Sequence, residues 1–172
     1  LSADFRLESV AEYEKWYGTR HIANSLQKKA VYGLTEIYKE KIKKGSLIAC
    51  TGCNSAATLY PVLPLLNEGI INCDNLTINL CAGVSGAGRD AKQNIIHAEV
   101  SEGVKPYNIG KHRHIAELEQ EFKKATINKI EITFIPHLLP QNRGVLVSIP
   151  IASPASTVHK TLENFYKNAP FI

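Results

Sequence analysis

The chain has 172 residues, 44% hydrophobic and 21% charged, with a net charge of +4. That is long enough for one domain with a substantial core, and too mildly and diffusely charged for a nucleic-acid surface. No apolar run approaches a membrane span, and no signal-peptide pattern opens the chain. Four cysteines (Cys50, Cys53, Cys73, Cys81) do not make a disulfide scaffold and fit a reducing cytoplasm. The chain begins at Leu1 and contains no Met, as either a piece cut from a longer polypeptide or a processed complete protein would.

In chain order, Val10, Tyr13 and Tyr17 share one stripe, which predicts a helix over 10–17 stopped by Gly18. Thr35 is expected to cap a helix over 36–44, its lysines near the C-terminus and Gly45 as the stop. The segment 46–67 opens with an apolar run, Leu47 to Cys50, and turns at Thr51-Gly52. It presents Cys53 and enters a helix-like stretch interrupted by Pro61 and Pro64. Alternation predicts a strand over 75–82, with Leu76, Ile78 and Leu80 on one face. Three glycines within 83–88 mark a tight loop, GVSGAGR at 83–89. Its spacing is not GxGxxG, and no βαβ unit is expected around it.

Further on, 94–100 reads as extended and 111–124 as a helix, with Ile115, Leu118 and Phe122 as its apolar stripe. A strand is expected over 129–135, a rigid connector from Pro136 to Pro140, and a strand over 144–152. In that last strand Val145, Val147 and Ile149 share a face. Ser156 or Thr157 is expected to cap a final helix to Asn168. The order predicts one α+β domain over 1–172, a mixed, largely antiparallel sheet with helices on one face.

Chemistry gathers at a few points. A cysteine at a strand-to-helix turn meets the free N–H groups and partial positive charge of the helix N-terminus, which favour a reactive thiolate. Cys53 is therefore a candidate nucleophile; a small buried thiol packing at a helix start is the plainer reading. Cys50 and Cys53 also form a CxxC, open to redox or zinc readings. Cys73 and Cys81, eight apart, make a poor second zinc pair. His112, Arg113 and His114 cluster at a predicted helix start. A neutral imidazole there can activate a thiol or protonate a leaving oxygen, and Glu117 shares a face with His114. The planar forks of Arg89, Arg113 and Arg143 suit an anionic substrate.

GC at 52–53, GVSGAGR at 83–89, HRHIAE at 112–117 and FIPHLLPQNRGVL at 134–146 occur in that order. Together with LSADFRL at 1–7, YGLTE at 32–36 and the closing FYKNAPFI, they resemble the catalytic domain of N-acetyl-gamma-glutamyl-phosphate reductases, NADPH-dependent enzymes of arginine biosynthesis. The resemblance implies a domain like the catalytic half of glyceraldehyde-3-phosphate dehydrogenase-like enzymes. It implies a cysteine that attacks an acyl phosphate, expels phosphate and forms a thioester, which is then reduced to a semialdehyde.

On this mapping Cys53 is the nucleophile, and His114 the general acid/base, with His112 the close alternative and Glu117 its companion. Arg113, Ser85, Gly86, Arg89, His137 and Arg143 would meet substrate, and Gly86, Ala87 and Gly88 would pass close to NADP. The family's NPGCY stands here as Cys50-Thr51-Gly52-Cys53-Asn54, and its HRHxPE has Ala116 for proline. The resemblance also implies a dinucleotide-binding domain outside this chain, so weak NADPH binding and no turnover are expected of these residues alone. A homo-oligomer formed through the sheet face is expected, and no metal, nucleic acid or membrane. The related reductase of lysine biosynthesis and aspartate semialdehyde dehydrogenase share the chemistry, the HRH cluster favouring the arginine- and lysine-pathway reductases over the dehydrogenase. A non-catalytic assembly domain is the reading from another class.

Overall fold

The computed structural model describes residues 3–88, 90 and 92–172. Helix α1 (Val10–Tyr17) forms as its stripe predicts: Ser9 Oγ accepts from Glu12 N at 3.3 Å, and Gly18 ends it at φ 67°. A short helix α2 (Asn24–Gln27) precedes β1 (Val31–Tyr32), helix α3 (Lys39–Lys44) and β2 (Ile48–Ala49). Strands β1 and β2 pair in parallel, Val31 opposite Ile48 and Tyr32 opposite Ala49. Helix α3 starts later than the Thr35 cap suggested. The Thr35 hydroxyl turns back to Gly33 O (3.5 Å), and Ile37 N and Tyr38 N both bond Leu34 O, which makes a turn instead of a helical entry.

Helix α4 (Cys53–Asn67) is continuous through Pro61 and Pro64. Pro64 has no N–H to offer the carbonyl of Tyr60 four residues back. The Tyr166 hydroxyl supplies the missing donor at 2.6 Å. Strand β3 (Leu76–Gly83) follows, buried at every second position as its alternation demands. After it come a single 3-10 turn over Val84–Ala87, another over Gln93–Ile95, helix α5 (His97–Val100) and β4 (Lys105–Pro106). The expected extended segment over 94–100 is thus coiled. Glu99 N and Val100 N both bond Ile96 O, so the backbone closes its bonds locally.

Helix α6 (His114–Ala125) buries Ile115, Leu118 and Phe122, the stripe read from sequence; residues 111–113 form the turn that leads into it. Strand β5 (Ile132–Leu139) runs straight through the stretch expected to be a connector. Its Pro136 lies opposite Leu80 of β3, and on the other side Pro136 O accepts from Tyr107 N at 3.0 Å. N–H and C=O of one strand residue point the same way, so the donor Pro136 lacks would face the end of the two-residue β4, and the β3 ladder is spared. Strand β6 (Val145–Ser148) and helix α7 (Ala155–Tyr166) complete the chain, with Pro154 at the start of α7 instead of Ser156 or Thr157 as cap.

Four strands among the described residues form one sheet in the order β4-β5-β3-β6. It is mixed, two of its three pairings being antiparallel; the central and longest, β3 with β5, is parallel. The connection between β3 and β5 carries α6, so a βαβ crossover does surround the glycine segment, against expectation. The core lies between the sheet and α4 with α6, joining Leu59, Val62 and Leu66 to Ile78, Leu80, Leu118, Phe122 and Phe134. Val147 and Ile149 pack against this core as their shared face predicts. No helix among the described residues is long and apolar enough to cross a membrane.

Candidate active site

Strand β2 ends at Ala49, and three residues later α4 begins at Cys53. Gly52 is its N-cap, with φ −66° and ψ 142°. Cys53 thus occupies the first turn of a 15-residue helix. Its thiol is exposed and donates to Asn54 Oδ1 at 3.3 Å. The positive end of the helix dipole and the unpaired N–H groups of that turn face the sulfur.

The turn is held from three sides. Arg6 Nε donates to Cys50 O at 2.7 Å. Glu117 Oε2 accepts from Gly52 N at 3.0 Å. The His114 ring lies against the Gly52 Cα so closely that a Cβ there would sit 2.3 Å from Nε2. The φ of Gly52 is open to any residue, so glycine is needed here for room and not for backbone freedom.

Glu117 is fully buried on α6. Besides Gly52 N it receives the Tyr32 hydroxyl on Oε2 at 2.6 Å and Arg6 Nη1 on Oε1 at 3.3 Å. The same Oε1 lies 3.9 Å from His114 Nε2. Burial, then the positive fields of Arg6 and Arg113, push His114 down to about 4. Burial, then His114 and Arg113, do the same for His112. Both rings are therefore neutral at pH 7. His112 accepts from His114 N through Nδ1 at 3.2 Å, and its ring lies edge-on to His114, 4.6 Å between centroids. It is a support for the His114 backbone as well as a wall of the site.

Cys53, His112, Arg113 and His114 line one cavity of about 590 Å³ together with Gly86 and Ala87. Arg6, Lys92, Lys105, Lys111 and Arg113 all contribute to its walls, and among the described residues no carboxylate does. Such a cavity attracts and orients an anion. A smaller cavity of about 190 Å³ shares Cys53 and Gly86 and adds Ser85, Gly144 and Val145. The thiol stands between the two.

The other expected residues fall out differently. Arg113 is at the cavity wall, its guanidinium stacked 5.0 Å over Tyr17. Gly88 adjoins the glycine turn at φ 94°. Arg143 brings its backbone against Gly83, where a Cβ would lie 2.8 Å from Arg143 N, but its side chain lines neither cavity. His137 pairs with Cys81 across β5 and β3, and its Nδ1 lies 3.3 Å from Leu80 O. Its neighbour Leu138 faces the large cavity, so alternation along the strand turns His137 to the opposite side. Arg89 lies outside the described residues. Cys50 is exposed and contributes its carbonyl to Arg6.

Sequence reasoning assigned no role to Arg6, Tyr32, Asn54 or Tyr107. Arg6 and Tyr32 belong to LSADFRL and YGLTE, segments that carried the resemblance without an assigned task. Asn54 accepts the Cys53 thiol and donates to the Tyr107 hydroxyl at 3.5 Å. Among the described residues no group of three or more His, Cys, Asp or Glu is arranged to hold a metal ion.

Residues 53–172 match the family described as "Semialdehyde dehydrogenase, dimerisation domain". Over the whole chain, the N-acetyl-gamma-glutamyl-phosphate reductase of Rhodobacter capsulatus is 49% identical and that of Jannaschia sp. 47% identical. Each match covers 100% of this chain and 51% of the relative, so the chain spans about half the length of the curated relatives it matches. Among solved structures, aspartate semialdehyde dehydrogenase II from Vibrio cholerae superposes with a TM-score of 0.58 at 15% identity, over 79% of this chain and 49% of that one. Its complex with ASA gives 0.57 at 14% identity, over 83% and 51%. These structures share the fold.

Proposed function

The chain belongs to the semialdehyde dehydrogenase dimerisation-domain family, and from that premise we propose that residues 1–172 are the catalytic domain of an N-acetyl-gamma-glutamyl-phosphate reductase. The observation that carries this reading is Cys53 at the start of α4, exposed to a cation-lined cavity, with the neutral His114 packed on Gly52 and 3.9 Å from Glu117. The names of the whole-chain relatives support the choice of N-acetyl-gamma-glutamyl phosphate as substrate.

In the proposed first step the Cys53 sulfur attacks the acyl carbon, forming a C–S bond. The C–O bond to phosphate breaks, and phosphate leaves with its electron pair. The thiol proton passes to His114 Nε2, which is free to accept it because the ring is neutral at pH 7. Glu117 Oε1, 3.9 Å from Nε2, offsets part of the positive charge on the ring once formed. Arg113 and the wall lysines hold the anionic groups of the substrate. His114 then keeps its proton beside the acyl oxygen and delivers it where negative charge gathers after reduction.

The glycine turn fits a flat ring passing in front of the sulfur. Gly86 lines both cavities, and a side chain at Gly86 or Gly88 would meet nothing within 4 Å. Gly86, Ala87 and Gly88 would hold the nicotinamide end of NADP there, and the bound cofactor supplies the hydride that reduces the thioester. Its nucleotide end we assign to the part of the relatives that this chain does not span. In the same reading a second copy of the chain covers the sheet face turned away from α4, where Ile135, His137 and Leu146 lie.

Mixing the protein with N-acetyl-gamma-glutamyl phosphate tests the reading. One phosphate per chain should appear in a rapid first phase, and Cys53→Ser should abolish it. Phosphate release equal in the two proteins would overturn the assignment.

A further inference from the structure

Helix α4 begins without a capping side chain of its own, since its N-cap is Gly52. In many helices a glutamate in the first turn reaches back to the N-cap N–H. Here that bond comes from another helix: Glu117 Oε2 of α6 accepts Gly52 N at 3.0 Å. The carboxylate is fully buried, so its orientation depends on what else it binds. The Tyr32 hydroxyl, at 2.6 Å, gives Oε2 its shortest bond. Tyr32 is itself only 6% exposed, and it sits on β1 opposite Ala49, the last residue of the strand that runs into the nucleophile turn.

We propose that Tyr32 is a positioning residue for the reaction. Its hydroxyl saturates Glu117 Oε2 together with Gly52 N, which fixes the carboxylate so that Oε1 alone faces Arg6 and His114. Tyr32 touches neither substrate nor sulfur in this scheme. It acts through Glu117 on the turn that presents Cys53, and a charge-assisted bond of this length in a dry site holds that geometry firmly.

The fold contains its own control. One turn further along α6, the buried Glu121 accepts the Tyr38 hydroxyl, the same chemistry away from the cavity. Tyr38→Phe should lower stability as Tyr32→Phe does, without reaching Cys53.

The experiment measures iodoacetamide alkylation of Cys53 at pH 7 and the amide proton resonance of Gly52 in wild type, Y32F and Y38F. Y32F should slow alkylation roughly tenfold, the scale of one lost bond to a charged group, and move the Gly52 resonance upfield. Y38F should change neither. Installing 4-aminophenylalanine at 32, which keeps a donor in place, should restore both readouts. Wild-type behaviour in Y32F, or equal changes in Y32F and Y38F, would overturn the proposal. If Y32F does not fold, 3-fluorotyrosine at 32 keeps the shape and alters only the donor; an unmoved Gly52 resonance then overturns it.

The inference rests on Cys53 being the nucleophile. A wild-type Cys53 no faster than Cys73 would count against that reading itself, whereas a fast Cys53 indifferent to Tyr32 would count against this proposal alone.

Discussion

Among single residues, Gly52 sets how closely His114 packs on the turn before Cys53. Its backbone would accept alanine, but an added methyl would fall 2.3 Å from His114 Nε2 and 2.6 Å from Cε1. The imidazole must then leave its place against the turn, while α4 keeps its own. Gly52→Ala is expected to leave the fold intact and to slow phosphate release about a hundredfold, as a displacement near 1 Å can. Circular dichroism checks the fold and a phosphate assay the rate. The importance of Gly52 was half visible in the sequence. The Gly-Cys pair marked a turn into a helix, but the ring that needs the space comes from 62 positions further on. Glu117 shows the same division. Its spacing from His114 suggested a companion to the histidine. Its shorter bonds, to Tyr32 and Gly52, join residues 85 and 65 positions apart, which no local pattern displays.

At the scale of elements, helices announced themselves best. Periodicity placed α1, and nearly all of α6 with its buried stripe, because each helix buries a face that repeats along the chain. The weaker readings involved proline. In β5 the rule that proline breaks strands failed, since Pro136 turns its missing donor toward the end of β4. In α4 the two prolines suggested an interruption, yet the helix runs through both. The structure resolves Pro64 through a residue 106 positions away from Tyr60. This gives a prediction for the helix. Tyr166→Phe should cost about 1–2 kcal/mol in urea unfolding by leaving Tyr60 O unpaired. Pro64→Ala restores an N–H donor within α4, so the cost of Tyr166→Phe should shrink in that background. A double-mutant cycle with no coupling would contradict this role for Tyr166. Strands β1, β2 and β4 are two residues each, too short to show alternation in sequence.

At the scale of the whole molecule, one face of the sheet is covered by α4 and α6 and the other is open. Register places Leu146 opposite Cys81, and Cys81 opposite His137, on that open face, and Leu146 is 66% exposed. Leu146→Asp should therefore turn a dimer into a monomer by sedimentation, while Cys53, on the far side of the sheet, keeps its alkylation rate. A dimer unaffected by the charge would place the interface elsewhere. The α+β class, the mixed sheet and the place of Cys53 at a strand-to-helix turn were all legible in the sequence. The parallel β3–β5 pairing was not, since it depends on a crossover of some fifty residues that local patterns do not reveal.

In the proposed reaction Cys53 takes the acyl group. The most direct measurement is peptide mass spectrometry of the protein quenched in acid after mixing with N-acetyl-gamma-glutamyl phosphate in the absence of NADPH. An acyl adduct is expected on the peptide that carries Cys53, absent from Cys53→Ser. An adduct confined to Cys50, Cys73 or Cys81, or phosphate release with no adduct on any cysteine, would contradict it.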